Sequence, residues 1–429
     1  MGHDCKSSKC RSSATFAPAS IIALLAMVVL GSFPPDATAQ NHRLRWTGTW
    51  AVSPVRDHPG MRFDKQTLRQ IVHTSVGGHI ARIHISNLFG LQPLTIKDVH
   101  IAQRSTDSSI VADTDRKVEF AGLSSVIVPP GTTVASDPIR FLVPRLADVV
   151  ISFYFPKETA ASTYHGAAFQ TNYIADGDVS GSTNFSRGQT TQSYYFLINL
   201  DVQDQAALGS VVTLGASITD GYASTTDSNR RWPNDLAQRL AEAGMNIGVL
   251  NQGISGNRLL AAGAGDSAET RFERDVLEQT GVRWVIFSDD PINDLGSTKP
   301  PPTGEELSSA LARLIKRVHE KQIKFVCSTL TPYQGAGYWT QAGETAREQI
   351  NAFIRSKSSG CDGVIDQDAA THDPAHPARY LPAYDSGDHL HPNNAGLQAI
   401  SDAVDLQLFT RQGSRDGAAN KRESAPSAQ

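Results

Sequence analysis

The feature that most constrains this chain is an alternation of apolar runs with helical segments that begins near Leu208. The runs are Ser210-Val211-Val212-Thr213-Leu214, Ile247-Gly248-Val249-Leu250, Arg283-Trp284-Val285-Ile286-Phe287, Lys324-Phe325-Val326-Cys327 and Gly363-Val364-Ile365. Between them lie segments of helical period. The clearest, Glu305 to Gln322, carries Leu307, Leu311, Leu314, Ile315 and Val318 on one stripe. Trp232 to Gly244 starts with Pro233 in its first turn, and helices are also predicted over Gly343–Ser356 and Ala395–Phe409. Strands without a polar face must be covered on both sides. Alternation with helices therefore predicts an α/β fold, a parallel sheet with helices on both faces.

Residues 40–206 have another texture. Ile80-Ala81-Arg82-Ile83-His84-Ile85-Ser86 alternates apolar and polar, Leu68 to Val76 does so more loosely, and Val149 to Phe155 is β-branched and aromatic. Turn residues at Gly77-Gly78, Pro129-Pro130-Gly131 and Asp176-Gly177 separate such runs. This predicts an antiparallel β-domain of sandwich or jelly-roll type ahead of an α/β domain at 207–410.

The two ends read differently. Lys6, Lys9 and Arg11 precede an apolar run from Ile21 to Leu30, followed by Pro34, Pro35 and Ala37-Thr38-Ala39. That order predicts a secretory signal peptide over 1–39, and hence a secreted or periplasmic protein. The run is too short for a span, so no membrane segment is expected after cleavage. Residues 411–429 lack apolar periodicity and read as a disordered, solvated tail. A composition 40% hydrophobic with formal net charge −4 excludes a mainly disordered chain and a strongly basic nucleic-acid binder. Cys5 and Cys10 leave with the leader. Cys327 and Cys361 either pair in an oxidising compartment or stay as two buried thiols.

In open α/β sheets, ligands bind at the carboxyl ends of the strands. The first strand ends in Gly215-Ala216-Ser217-Ile218-Thr219 and the second in Asn251-Gln252-Gly253-Ile254-Ser255-Gly256-Asn257. The third ends in Asp289-Asp290-Pro291-Ile292-Asn293-Asp294, and Asp388-His389-Leu390-His391-Pro392 precedes the last helix. One rim thus collects a nucleophile, a base with an orienting carboxylate, and hydrogen-bond donors.

These four blocks, in this order over about 208–409, resemble the SGNH (GDSL-type) hydrolases. The β-domain resembles one found ahead of this module in certain secreted bacterial esterases. The resemblance implies a flavodoxin-like three-layer domain and a serine ester hydrolase of the acylesterase or lipase type. It implies small acyl esters as substrates, acetyl among them, free or on a polysaccharide, and no cofactor. Carried over, Ser217 is the nucleophile, His391 the base and Asp388 its orienter. The Ser217 N–H, the Gly253 N–H and the Asn293 amide form the oxyanion hole. The chemistry fits, because a serine hydroxyl needs an adjacent base and an imidazole needs a fixed tautomer. Two positions depart from the family pattern: Ala216 stands where an aspartate is usual, and Pro291 where a glycine is usual. Asp289 and Asp290 are candidates for replacing the lost polar support. The departures leave a second expectation, a catalytically weakened glycan-binding protein on the same fold.

Other residues have plainer readings beside functional ones. His389-x-His391 and the His372/His376 pair invite metal ligation but lack further converging ligands. Asp289-Asp290 as a glycosidase pair is disfavoured, because adjacent residues on a strand point to opposite faces. Trp46, Trp50, Tyr194 and Tyr195 either stack on sugars or fill a core. Asn229-Arg230-Arg231 either lines the site or is a solvated loop, and Asn184-Phe185-Ser186 fits a glycosylation sequon.

Overall fold

A computed structural model describes residues 45–56, 60–185 and 188–410. The expected signal peptide and C-terminal tail lie outside these residues, as does Ser186 of the sequon.

The strands Gly209–Gly215, Ile247–Gly253, Val282–Phe287, Lys324–Ser328 and Gly363–Ile365 form one parallel sheet. Numbered along the chain, their spatial order is 2-1-3-4-5. This is the flavodoxin-like arrangement, and it reverses direction beside the first strand. Right-handed crossovers then dictate the layers. Helix Trp232–Glu242 packs with Asn394–Asp402 on one side. Ala268–Phe272, Gly304–Glu320 and Gln341–Arg355 pack together on the other. Leu307, Leu311, Leu314, Ile315 and Val318 are all buried, as their spacing predicts. Thr303 and Glu306 close a capping box at that helix's start. The last helix is shorter than its apolar pattern suggests. It ends at Asp402, and Leu406–Phe409 forms a separate 3-10 turn that still buries Phe409. Cys327 and Cys361 are joined by a disulfide that ties the fourth strand to the loop before the fifth.

The first half is wholly antiparallel. One sheet runs through Trp46–Ala51, Leu197–Gln203, Gly78–Ser86 and Ile139–Val143. The other runs through Gln189–Thr191, Asn172–Asp176, Gln66–His73, Asp148–Phe155, Leu94–Gln103 and Arg116–Val118. Their apolar faces share a core that includes Phe63, Phe153, Phe155 and Leu200. Trp50, Tyr194 and Tyr195 belong to it, and the Trp50 and Tyr194 rings meet edge to face 4.9 Å apart. These aromatics are core residues, and Trp46 lies beneath the Arg82 guanidinium.

The halves join at a turn over 204–208, and the described residues of both fall in one compact unit. The reason lies at the edge of the parallel sheet. Among the described residues, strand Ile247–Gly253 has no sheet neighbour on its outer side. An uncovered edge strand is a hazard. Here the β-half covers it: the Ser75 hydroxyl accepts the Val249 N–H at 2.8 Å, and Gly48 lies so close that a Cβ on Gly248 would sit 1.9 Å from its carbonyl oxygen.

Candidate active site

The first strand delivers its chain to Ser217 through Gly215 and Ala216. Ser217–Asp220 is a single helical turn, closed by Gly221 in the left-handed conformation. One turn cannot stabilise itself. Its N-terminal end is held by the Asp289 carboxylate, which accepts N–H groups from Ala216 (3.1 Å), Ile218 (2.8 Å) and Thr219 (3.2 Å) and the Thr219 hydroxyl at 2.6 Å. A Cβ on Gly215 would lie 2.4 Å from Asp289 Oδ1, so glycine is what admits the carboxylate. The support that an aspartate at 216 would supply in cis thus arrives from the third strand's end.

The Ser217 hydroxyl meets His391 Nε2 at 2.8 Å, and His391 Nδ1 meets Asp388 Oδ2 at 2.6 Å. A carboxylate can only accept, so Nδ1 carries the proton and Nε2 offers its lone pair to the serine. Ser217 is 7% and His391 9% exposed, while Asp388 sits at the opening. Asp388 Oδ1 accepts the N–H groups of Leu390 (2.9 Å) and His391 (2.8 Å) and the Ser386 hydroxyl (3.1 Å). Partial burial pushes this carboxyl up, but the His391 hydrogen bonds and the Leu390 N–H outweigh it and hold it at about 2. His389 is separate from this chain: its Nδ1 meets Asp385 at 2.6 Å.

Asn293 comes from helix Asp290–Ser297. Its Oδ1 accepts the Tyr338 hydroxyl at 3.2 Å, and its Nδ2 donates to the Asn257 carbonyl at 2.9 Å. This fixes the amide's orientation and leaves its second N–H for another acceptor. Pro291 lies in the first turn of the helix, where an N–H has no intrahelical partner anyway. The departure from glycine therefore costs no helix hydrogen bond. Asp289 and Asp290 stand at this helix's N-terminus, not on a strand. Both are buried, one under the serine turn and the other against Arg271.

A match to the GDSL-like lipase/acylhydrolase family model covers residues 213–399, the stretch that holds every one of these groups. This domain belongs to that family. Its members are carboxylic ester hydrolases. Among solved structures, the chain is similar to a lipase/acylhydrolase from Enterococcus faecalis at 20% identity and TM-score 0.35. That match covers 47% of this chain and 95% of that one. It is also similar to a GDSL-like lipase from Bacteroides thetaiotaomicron (16%, TM-score 0.36, 46% of this chain and 87% of that one). A third is a carbohydrate acetylesterase from Sinorhizobium meliloti (16%, TM-score 0.35, 45% and 95%). No curated protein matches the chain.

Gly253 of the GDSL-like domain does not present its N–H to the site, because that group donates to Asn251 Oδ1 at 2.9 Å. The glycine is needed for space: a Cβ there would lie 2.3 Å from the Asp220 nitrogen. Three residues on, Gly256 is exposed at φ +81, and its N–H has no acceptor among the described residues. It is bracketed by Ser255, which donates to Asp220, and by Asn257, which receives Asn293. Sequence reasoning passed over this glycine. The signal available was the second glycine of the Asn251–Asn257 block.

Behind the rim, Arg271 is buried and unites the strand ends. It donates to the carbonyls of Gly215 (3.1 Å) and Gln252 (2.7 Å), to Asn257 Oδ1 (3.0 Å) and to Asp290 (3.3 Å). Burial pushes the Asp290 carboxyl up to about 7 despite Arg271, with Asp289 and Asp294 adding repulsion. Asp294 carries the N–H groups of Leu259 and Leu260, yet burial raises it to about 6. Tyr222, 45% exposed, lays its ring 4.2 Å from the His391 ring. Among the described residues, no group of three His, Cys, Asp or Glu side chains is placed to hold a metal ion.

Proposed function

We propose that the protein is a secreted serine esterase acting on small acyl esters, acetyl among them, with carbohydrates as the alcohol. The observation that carries this reading is the continuous chain from Ser217 Oγ through His391 to Asp388, with contacts of 2.8 and 2.6 Å. In the first half-reaction His391 Nε2 takes the hydroxyl proton as Oγ bonds to the acyl carbon. The carbonyl electron pair moves onto oxygen. Collapse of that adduct breaks the bond to the alcohol, which leaves with the proton from His391. Water then gives a proton to the same nitrogen as its oxygen bonds to the acyl carbon. Collapse of that second adduct breaks the bond to Ser217 Oγ, which takes the proton back from His391 as the acid leaves. Asp388 keeps the imidazole in register and stabilises its charged form.

The oxyanion donors in this reading are the Ser217 N–H, the Gly256 N–H and the second N–H of the Asn293 amide. Removing one such donor typically costs about 3–4 kcal/mol of barrier. The Tyr222 face beside His391 supports a ring-shaped alcohol, since aromatic faces suit sugar rings. The Cys327–Cys361 disulfide fits an oxidising compartment and so supports export. Nothing in the geometry favours a non-catalytic binder, for the nucleophile and its base are in contact. The test is hydrolysis of short-chain esters by the parent and by Ser217→Ala, followed by acetyl release from a panel of acetylated polysaccharides. The expected result is activity in the parent that the substitution abolishes. Equal turnover in both would refute it.

A further inference from the structure

His165 lies on strand Thr163–His165 of the β-half, yet its ring sits behind the nucleophile turn. Nδ1 faces the Ser53 carbonyl at 2.9 Å and Nε2 faces Asp220 Oδ1 at 3.0 Å. A carbonyl and a carboxylate only accept, so both contacts require a proton between the atoms. The geometry is that of an imidazolium facing a carboxylate, with 4% and 3% of the two side chains exposed. Burial works against the charged ring. The Asp220 carboxylate and the Ser53 carbonyl outweigh burial and the opposing Arg231, so the proton is held above the ordinary imidazole range.

Asp220 is the last residue of the single turn that begins with Ser217. Its other oxygen accepts the Ser255 N–H at 2.9 Å and the Ser255 hydroxyl at 2.7 Å. One carboxylate thus joins the nucleophile turn to the loop that carries Gly256 and Asn257. Asp289 fixes the start of the turn and Asp220 its end, and among the described residues the cation in contact with Asp220 comes from the β-half.

We infer that His165 is a positioning residue for the reaction: through Asp220 it holds Ser217 and the Ser255–Asn257 loop at a fixed separation, making the β-half part of the catalytic apparatus. The inference rests on Ser217 being the nucleophile. Small displacements of reacting groups cost rate far more than they cost binding.

The test is steady-state hydrolysis of a short-chain nitrophenyl ester by the full chain, each variant assayed below its own melting transition. His165→Ala should lower kcat about tenfold or more with KM within about threefold. His165→Gln, whose amide can donate to Asp220 from the place of Nε2, should restore kcat to within about threefold of the parent. Ser255→Ala removes a donor from the far side of Asp220 and should lower kcat about threefold with KM unchanged. That half-exposed substitution decides the matter should His165→Ala not fold. Unchanged kcat in His165→Ala or in Ser255→Ala overturns the inference. So does a loss expressed in KM alone, or one that His165→Gln fails to restore. Labelling of the parent at Ser217 by an organophosphonate separates the two readings. A parent neither labelled nor active condemns the site itself, and a labelled parent with an unimpaired His165→Ala condemns only the role of His165.

Discussion

The Asp289 carboxylate reaches back 71 residues to accept the Ile218 N–H at 2.8 Å, next to Ser217, the proposed nucleophile. It takes the place of the acid that the family carries at the position of Ala216. Asp289→Ala leaves three backbone donors and a buried hydroxyl without their acceptor. Unsatisfied buried groups cost about 1–3 kcal/mol each, so a loss of at least about 2 kcal/mol in chemical denaturation is expected, with kcat falling about 10- to 100-fold. Ala216→Asp alone should also be damaging, because it places a second carboxylate beside Asp289. Combining it with Asp289→Asn should recover part of the loss. Full activity in Asp289→Ala would show that the turn holds itself.

The two glycines of the second block should separate stability from rate. A Cβ at Gly253 strikes the Asp220 backbone, so Gly253→Ala should lower the melting temperature and the yield of folded protein. Gly256→Ala meets little, its nearest neighbour being the Ala264 Cβ at 3.1 Å, but it strains a residue at φ +81. The left-handed conformation costs a non-glycine residue about 1–2 kcal/mol. The expected outcome is a folded protein with reduced kcat. Were Gly253→Ala folded and Gly256→Ala fully active, the oxyanion donor would have to be sought elsewhere.

Tyr338 orients Asn293 by one hydrogen bond of 3.2 Å. Tyr338→Phe should lower kcat about three- to tenfold with little change in KM, since that bond is worth about 1 kcal/mol. Gly296→Ala tests the same link from behind, for its Cβ would lie 1.9 Å from the Tyr338 ring. A kcat split that follows Tyr338→Phe but spares Gly296→Ala would place the ring's role outside the Asn293 contact.

Asp290 provides a pH test. Its folded pKa of about 7 lies above the ordinary value of 3.8, so the folded state binds more protons between those values. Stability contributed by the neutral form is present in acid and is lost as pH rises through that window. Asp290→Asn has no such titration. Its unfolding free energy relative to the parent should rise from about pH 4 to about pH 7 and then level off. A difference that stays flat or falls across that range contradicts the assignment of a buried, reluctant carboxylate.

Much of this was legible in the sequence. The five buried strands could be read because period and residue type are local properties, and the Ser217, Asp388 and His391 blocks could be placed on one rim because a strand end is a fixed place in this fold. Other features depend on contacts that no period records. Gly253 and Gly256 share one block, and only the backbone shows that Asn251 occupies the first N–H. In the sequence His165 reads like any histidine on a strand. Its meeting with Asp220 spans 55 residues and two halves of the chain. The aromatics of the β-half, open to two readings as a sequence, resolve into core because Trp50 and Tyr194 are packed against each other.

The central claim is that Ser217 is an activated nucleophile. Incubation of the full chain with an organophosphonate, followed by intact-mass and peptide analysis, measures this directly. One adduct per chain is expected, on Ser217, formed in step with loss of ester hydrolysis and absent in Ser217→Ala. An active protein that stays unlabelled, or an adduct on another residue that accounts for the lost activity, would contradict it.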